Sequence, residues 1–159
     1  MEFSTADLWD AHYAEIAVCD VQFRGFGLRH RFAGPCVTIR TPGDHRPVRA
    51  LAVTPGEGRV IVVDGGSRFH VALLGDRIAS AAMENRWAGI VAFGAIRDSA
   101  TIDLMDFGVK ALGTIARRAE TEVGGETEVP LAVAGTAIRP GDWIYADADA
   151  VVVSRQKLA

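Results

Sequence analysis

The segment Arg59-Val60-Ile61-Val62-Val63-Asp64 places the tightest constraint on what this chain can fold into. A β-branched run with no polar alternation suits a strand buried on both faces, as in a parallel sheet covered on each side. Gly65-Gly66 ends the run. Downstream, residues 76–86 carry Ile78, Ala79, Ala82 and Met83 on one helical face, and Asp76 is placed to cap that helix. Gly89-Ile90-Val91-Ala92-Phe93 then returns to the texture of a buried strand. Residues 59–93 therefore read as a strand–helix–strand unit of about 35 residues, the size of a βαβ element.

The flanking regions are expected to extend this unit into one mixed α/β domain over residues 1–159. A helix is expected from Ser4 or Thr5 to about Tyr13, with Asp7 as an acidic variant of the capping box. Residues 18–33 are mixed, with bends at Gly25, Gly27 and Gly34. A strand over 35–40 and a short helix over 46–53 follow, the latter ending before Pro55. Residues 99–106 read as helical and 108–115 as extended. Beyond 127, short strands at 129–134, 136–139, 142–145 and 150–153 read as a compact β region of hairpins, separated by Gly135, Pro140-Gly141 and Asp147-Ala148-Asp149.

Composition narrows the function classes. A net charge of -3 argues against a direct nucleic-acid binder, which would present a basic face. Cys19 and Cys36 are too far apart for a C-x-x-C pair and read as buried free thiols. His12, His30, His45 and His70 are scattered, so no zinc site is expected. The first residues lack the basic and apolar regions of a signal peptide, and no apolar run would span a membrane, so the expected compartment is the cytoplasm.

Two short segments carry the candidate chemistry. Leu74-Gly75-Asp76-Arg77-Ile78 lies at the start of the clearest helix. Gly75 would let a ligand approach the backbone, and the amides of Arg77 and Ile78 would receive a small carboxylate. The alternative is structural: Gly75 a turn, Asp76 a cap. Ala95-Ile96-Arg97-Asp98 follows the second strand, where α/β sheets gather ligands. Arg97 suits bidentate binding of a carboxylate, and Asp98 offers hard oxygen ligands to Mg²⁺ or Mn²⁺. Here too the alternative is a helix cap and a surface charge. If the sheet is parallel, both segments lie at one edge. They would then suit a substrate with adjacent carboxylate and ketone oxygens, whose carbon–carbon bond breaks as an enolate forms.

The remaining features carry less. Gly65-Gly66 lacks the rest of a phosphate-loop pattern. His70 reads as a surface or core residue, Trp9, Trp87 and Trp143 as packing residues, and Arg117-Arg118 as part of a solvated loop.

Taken together, Leu74-Gly75-Asp76, Trp87-Ala88-Gly89-Ile90-Val91, Gly94-Ala95-Ile96-Arg97-Asp98, Asp106 to Gly113 and Pro140 to Asp147 resemble the RraA-like family over roughly residues 4–154. That family contains class II 4-hydroxy-4-methyl-2-oxoglutarate aldolases and the regulator of ribonuclease E activity A. The resemblance implies a swivelling β/β/α-type fold and a homotrimer. It implies a divalent-metal-dependent lyase releasing pyruvate, with oxaloacetate decarboxylation through the same pyruvate enolate. On matching positions, Gly75, Asp76, Arg77 and Ile78 would cradle the pyruvyl carboxylate and Arg97 would bind substrate. Asp98 would ligate Mg²⁺ or Mn²⁺, and Asp76 would orient the catalytic water.

The chain departs from the aldolase pattern at Thr101, where an acidic residue is expected, and it ends at Ala159 without an extension that supplies an acid to a neighbouring site. Both departures point to looser metal binding and modest turnover. They also keep open a second reading, a non-catalytic inhibitor that binds a ribonuclease E-type complex. A quinone methyltransferase, a label also attached to this family, is not expected, because no glycine-rich loop with a partner acid is present to bind S-adenosylmethionine.

Overall fold

The computed structural model describes residues 2–159. The buried run becomes β4 (Val60–Asp64), which pairs in parallel with β3 (Phe32–Arg40) on one side and β5 (Gly89–Ile96) on the other. β6 (Val109–Thr114) adds a further parallel strand beyond β5. Alternation along these strands feeds two cores. Ile61, Val63, Ile90, Ala92 and Ile96 face one cluster; Val60, Val62, Val91 and Phe93 face the other. The expectation of strands buried on both faces is met, and the sheet is parallel where the βαβ reading required it.

The first cluster is roofed by α2 (Arg46–Ala52) and α3 (Asp76–Glu84), which set Val48, Ala52, Ile78, Ala79 and Ala82 onto the sheet. Trp87 closes this layer, its indole N–H donating to the Thr54 carbonyl at 3.0 Å. The second cluster is covered by β-structure. β8 (Leu131–Val133) and β9 (Thr136–Ile138) form a separate hairpin.

β10 (Trp143–Ala146) and β11 (Val151–Ser154) do not belong to that hairpin region. They join the main sheet, because the first half of β3 (Phe32 to Pro35) pairs with β10 while its second half pairs with β4. The expected hairpin region is therefore divided: β8 and β9 form the separate hairpin, while β10 and β11 belong to the main sheet. The strand expected from residue 35 starts at Phe32 for the same reason.

The chain ends are stitched together. α1 (Thr5–His12) is capped by Ser4, whose hydroxyl accepts from the Asp7 N–H at 3.1 Å. Thr5 donates its N–H and hydroxyl to the Asp147 carboxylate at 2.7 and 2.8 Å. β1 (Ile16–Val18) pairs with β11, β2 (Arg24–Phe26) with β6, and β7 (Glu126–Thr127) with the end of β3. These three short strands fall where the sequence suggests only bends and loops. Cys19 and Cys36 are buried free thiols, and burial pushes both up to about 12. No helix among the described residues is long and apolar enough to cross a membrane.

Candidate functional site

The two candidate segments meet at the carboxyl ends of the parallel strands. The convergence depends on β5 running past Phe93 to Ile96, with a register shift against β6 between Ala92 and Ala95. The chain leading into α3 lies alongside this extension. Leu73 donates its N–H to the Ala95 carbonyl at 2.8 Å, and Arg97 donates to the Leu74 carbonyl at 3.1 Å. Two backbone bonds thus fix Gly75 directly beside Arg97 and Asp98.

Gly75 itself, with extended backbone, is the N-cap of α3, and Asp76 is the first helical residue. The expected cap is therefore displaced by one position. Asp98 explains why: its Oδ2 accepts the Asp76 N–H at 3.2 Å and so satisfies one of the free amides of the first turn from outside the helix. A side chain at position 75 would obstruct this, since a Cβ there would lie 2.5 Å from Asp98 Oδ2 and 3.2 Å from Arg97 Cγ.

Asp98 is held in a left-handed backbone conformation, φ 58°, at the start of α4 (Ser99–Ile102). It occupies the N-cap position but makes no side-chain cap bond to that helix. Its carboxylate turns instead toward Asp76 and toward Arg97, whose Nε lies 3.8 Å away. Glu57, Ser67, Arg86, Glu128 and Ala134 also have positive φ, but of these residues only Asp98 lines the cavity described below. α4 spans only four residues, shorter than the helix expected over 99–106: beyond it the chain tightens into turns, with the Leu104 and Met105 N–H groups donating to the Thr101 and Ile102 carbonyls. Asp103 Oδ1 and the Met105 carbonyl accept from Gly27 and Leu28 in the loop after β2.

Of the two amides expected to receive a carboxylate, the Arg77 N–H is engaged by Asp76 Oδ1 at 2.9 Å. The Ile78 N–H has no protein partner among the described residues. All the predicted site residues, Gly75, Asp76, Arg77, Ile78, Arg97 and Asp98, line one cavity of about 570 Å³. His45, Arg49, Ala72, Leu74 and Arg118 complete it.

His45, Arg49 and Arg118 were not legible as site residues. Arg118 belongs to the pair read as a solvated loop, yet the loop folds back over the strand ends: Ala72 donates to the Arg117 carbonyl, and the Arg117 guanidinium donates to the His70 carbonyl. His70 stays outside the cavity lining. Burial lowers the His45 pKa, and the neighbouring cations Arg46, Arg49 and Arg118 lower it further against the pull of Asp44. Asp44 is buried beneath this wall. Burial alone would raise its pKa, but it accepts from the N–H groups of Arg46, Gly124 and Val123 and from the Arg46 guanidinium, which together hold it down at about 2.

A divalent cation can be tested against the donor set. No three His, Cys, Asp or Glu side chains converge on a common point among the described residues. Asp98 and Asp76 each keep one carboxylate oxygen without a hydrogen bond at the cavity, and the Asp98 side chain is 39% exposed, so water reaches it. This fits a hard cation that keeps most of its waters and takes further oxygens from a substrate, as Mg²⁺ does. It does not fit a closed structural metal centre.

A helix N-terminus, a guanidinium and an exposed carboxylate at the carboxyl edge of parallel strands make a candidate small-molecule site of the α/β class. The chain belongs to the RraA-like family: the Aldolase/RraA family model matches residues 5–153. A provisionally named 4-hydroxy-4-methyl-2-oxoglutarate aldolase of Alkalilimnicola ehrlichii is 44% identical over 158 residues, covering 99% of this chain and 98% of that one. A protein of the same name from Halorhodospira halophila is 42% identical, covering 99% of each. Among solved structures, the RNA-processing inhibitor RraA from Thermus thermophilis superposes with a TM-score of 0.92 at 36% identity, over 100% of this chain and 96% of that one. A Geobacillus kaustophilus structure described as an S-adenosylmethionine:2-dimethylmenaquinone methyltransferase gives the same TM-score at 40% identity, over 98% and 97%. The expected family and the mixed α/β fold both hold.

Proposed function

We propose that this chain is a divalent-metal-dependent lyase that cleaves 4-hydroxy-4-methyl-2-oxoglutarate into two molecules of pyruvate and decarboxylates oxaloacetate through the same enolate. The observation that carries the reading is the junction of Gly75, Asp76, Arg97 and Asp98 in one cavity, locked by the Asp76–Asp98 hydrogen bond. The names of the aldolase relatives support the substrate class. Asp98 would hold the cation, Mg²⁺ or Mn²⁺, which when bound polarises the 2-oxo oxygen and stabilises negative charge there.

The chain's own groups account for the rest. The Ile78 N–H and Arg97 receive the carboxylate next to the ketone and align the scissile C3–C4 bond. Asp76 orients a water that accepts the proton of the 4-hydroxyl as that bond breaks. The bonding pair moves onto the pyruvyl fragment as an enolate, and the 4-carbon becomes the ketone of the second pyruvate. Return of the proton to C3 gives the first pyruvate. With oxaloacetate the same pair is left behind as carbon dioxide departs.

The test is pyruvate release from both substrates with Mg²⁺ or Mn²⁺. Activity indifferent to EDTA, or intact in Asp98→Ala, would overturn the reading. The likeness to the RNA-processing inhibitor favours a second reading, a protein that binds and restrains a ribonuclease E-type enzyme. Absence of binding and of inhibition with the purified partner would remove it.

A further inference from the structure

Lys110 stands apart from the other cations of the chain. The sequence holds 17 Lys and Arg residues together, and of these only Lys110 and Lys157 are lysines. Lys157 is exposed, with its Nζ over the Trp143 ring. Lys110 lies within β6 and is only 6% exposed. Its neighbours Val109 and Ala111 belong to the first core cluster, so alternation along the strand turns Lys110 to the opposite face of the sheet. There it sits in register between Val91 of β5, a member of the second cluster, and Gly25 of β2.

The Lys110 ammonium makes no hydrogen bond or ion pair among the described residues. The carboxylate that acts on it from a distance, Asp147, is already occupied. It accepts from the N–H and hydroxyl of Thr5 and from the N–H groups of Asp149 and Ala150. Burial lowers the Lys110 pKa, against the pull of Asp147, so a larger share of this amine is neutral than in an exposed lysine. An arginine in the same place would keep its charge; a lysine can shed it and become a nucleophile.

A neutral amine reacts only where a reagent reaches it, and Gly25 leaves a way in. It is exposed, on a three-residue strand at the end of the sheet. A Cβ at position 25 would lie 3.0 Å from Lys110 Nζ, so the amine ends where a side chain is missing.

We propose that Lys110 is an N-acylation site for small acyl phosphates, reached through the gap that Gly25 leaves at the edge of the sheet. The Nζ lone pair attacks the carbonyl carbon and a C–N bond forms. The bond from that carbon to the phosphate oxygen breaks, phosphate departs with the bonding pair, and the surplus Nζ proton passes to water. The product is an uncharged amide, which suits a buried position that offers an ammonium no partner. The site is independent of the lyase reading, since Lys110 does not line the cavity that holds Gly75 and Asp98.

The test uses the full chain with acetyl phosphate as the probe at mildly alkaline pH, and follows acetylation of each lysine over time by peptide mass spectrometry. Lys157 is the internal comparator. In the native protein Lys110 is expected to react several-fold faster than Lys157, and in urea, where both are solvated, the ratio falls to about one. Gly25→Ala fills the gap against the flexible end of the lysine, and should slow Lys110 several-fold while leaving Lys157 unchanged. If Gly25→Ala loses the native circular dichroism spectrum, the native-to-urea ratio of wild type decides alone. A native Lys110 rate no greater than that of Lys157, or one that a folded Gly25→Ala leaves unchanged, would overturn the proposal.

Discussion

Replacing Gly75 by alanine tests the junction at its narrowest point. The glycine backbone there is extended, so an added Cβ meets no conformational penalty of its own. What it meets is Asp98 Oδ2 at 2.5 Å, against about 3.4 Å for an ordinary contact, so the carboxylate must retreat by about 0.9 Å. The left-handed backbone of Asp98 and the side chain of Arg97, also within reach of the new Cβ, limit where it can go. A displacement of about 1 Å in a positioned group costs on the order of 100-fold in rate.

Stability should fall by about 1 kcal/mol, because alanine is a poorer N-cap than glycine while the obstructed atoms are partly exposed side-chain ends. Gly75→Ala is therefore expected to lose about 100-fold in kcat/KM for oxaloacetate decarboxylation with Mn²⁺, while its melting temperature falls by only a few degrees. Gly58→Ala is the control. Gly58 has φ +77° with nothing within 4 Å of a Cβ, so it should lose stability through backbone strain without losing activity. Wild-type kcat/KM with unaltered Mn²⁺ dependence in Gly75→Ala would refute the reasoning.

Asp98→Asn keeps a side chain that tolerates the left-handed backbone but removes the charge; it should fold normally and lose at least about 100-fold of metal-dependent activity, read by Mn²⁺ titration of the rate. Thr101→Glu restores an acid on the exposed face of α4 one turn from Asp98, and should lower the Mn²⁺ concentration for half-maximal activity several-fold. Asp44→Ala strands three backbone N–H groups and should cost about 3 kcal/mol, a drop of about 6–12 °C in melting temperature by calorimetry. The Asp44 carboxyl is held at about 2, below its ordinary 3.8. Its contribution is therefore complete above about pH 5 and is lost as pH falls through 4 toward 2. Wild type should lose stability across that window, and Asp44→Ala should lose less.

The βαβ unit was legible because each of its elements carries its own pattern: a β-branched run, a helical apolar face and a second apolar strand. The candidate site residues stand out for a related reason, since each sits at or just beyond a boundary of that unit. Their geometry does not. Gly94-Ala95 interrupts the strand texture after Phe93, so the extension of β5 to Ile96 depends on Leu73 and β6, both distant in sequence. Asp76 looks like a helix cap in the sequence because the acceptor that replaces it, Asp98, comes from the turn after β5. β1, β2 and β7 have three residues or fewer and exist only through their partners. His45, Arg49 and Arg118 give no local signal, because they line one cavity only through the packing of α2 and the fold of the loop around Arg118.

The stitching of the two chain ends has a consequence for how the protein is made. Thr5 and Asp147 are separated by 142 residues, and β1 completes its pairing only with β11. The second core draws on Leu131, Val133, Ile138, Ile144, Val151 and Val153 to cover Val60, Val62, Val91 and Phe93. Until those last segments leave the ribosome, a nascent chain can lay its helices on one side of the parallel strands while the other side stays bare. Such a half-covered sheet is sticky and slow to close. Closure of the second core therefore waits for residues 131–153, and a chain that lacks them presents one bare face of the sheet to its surroundings.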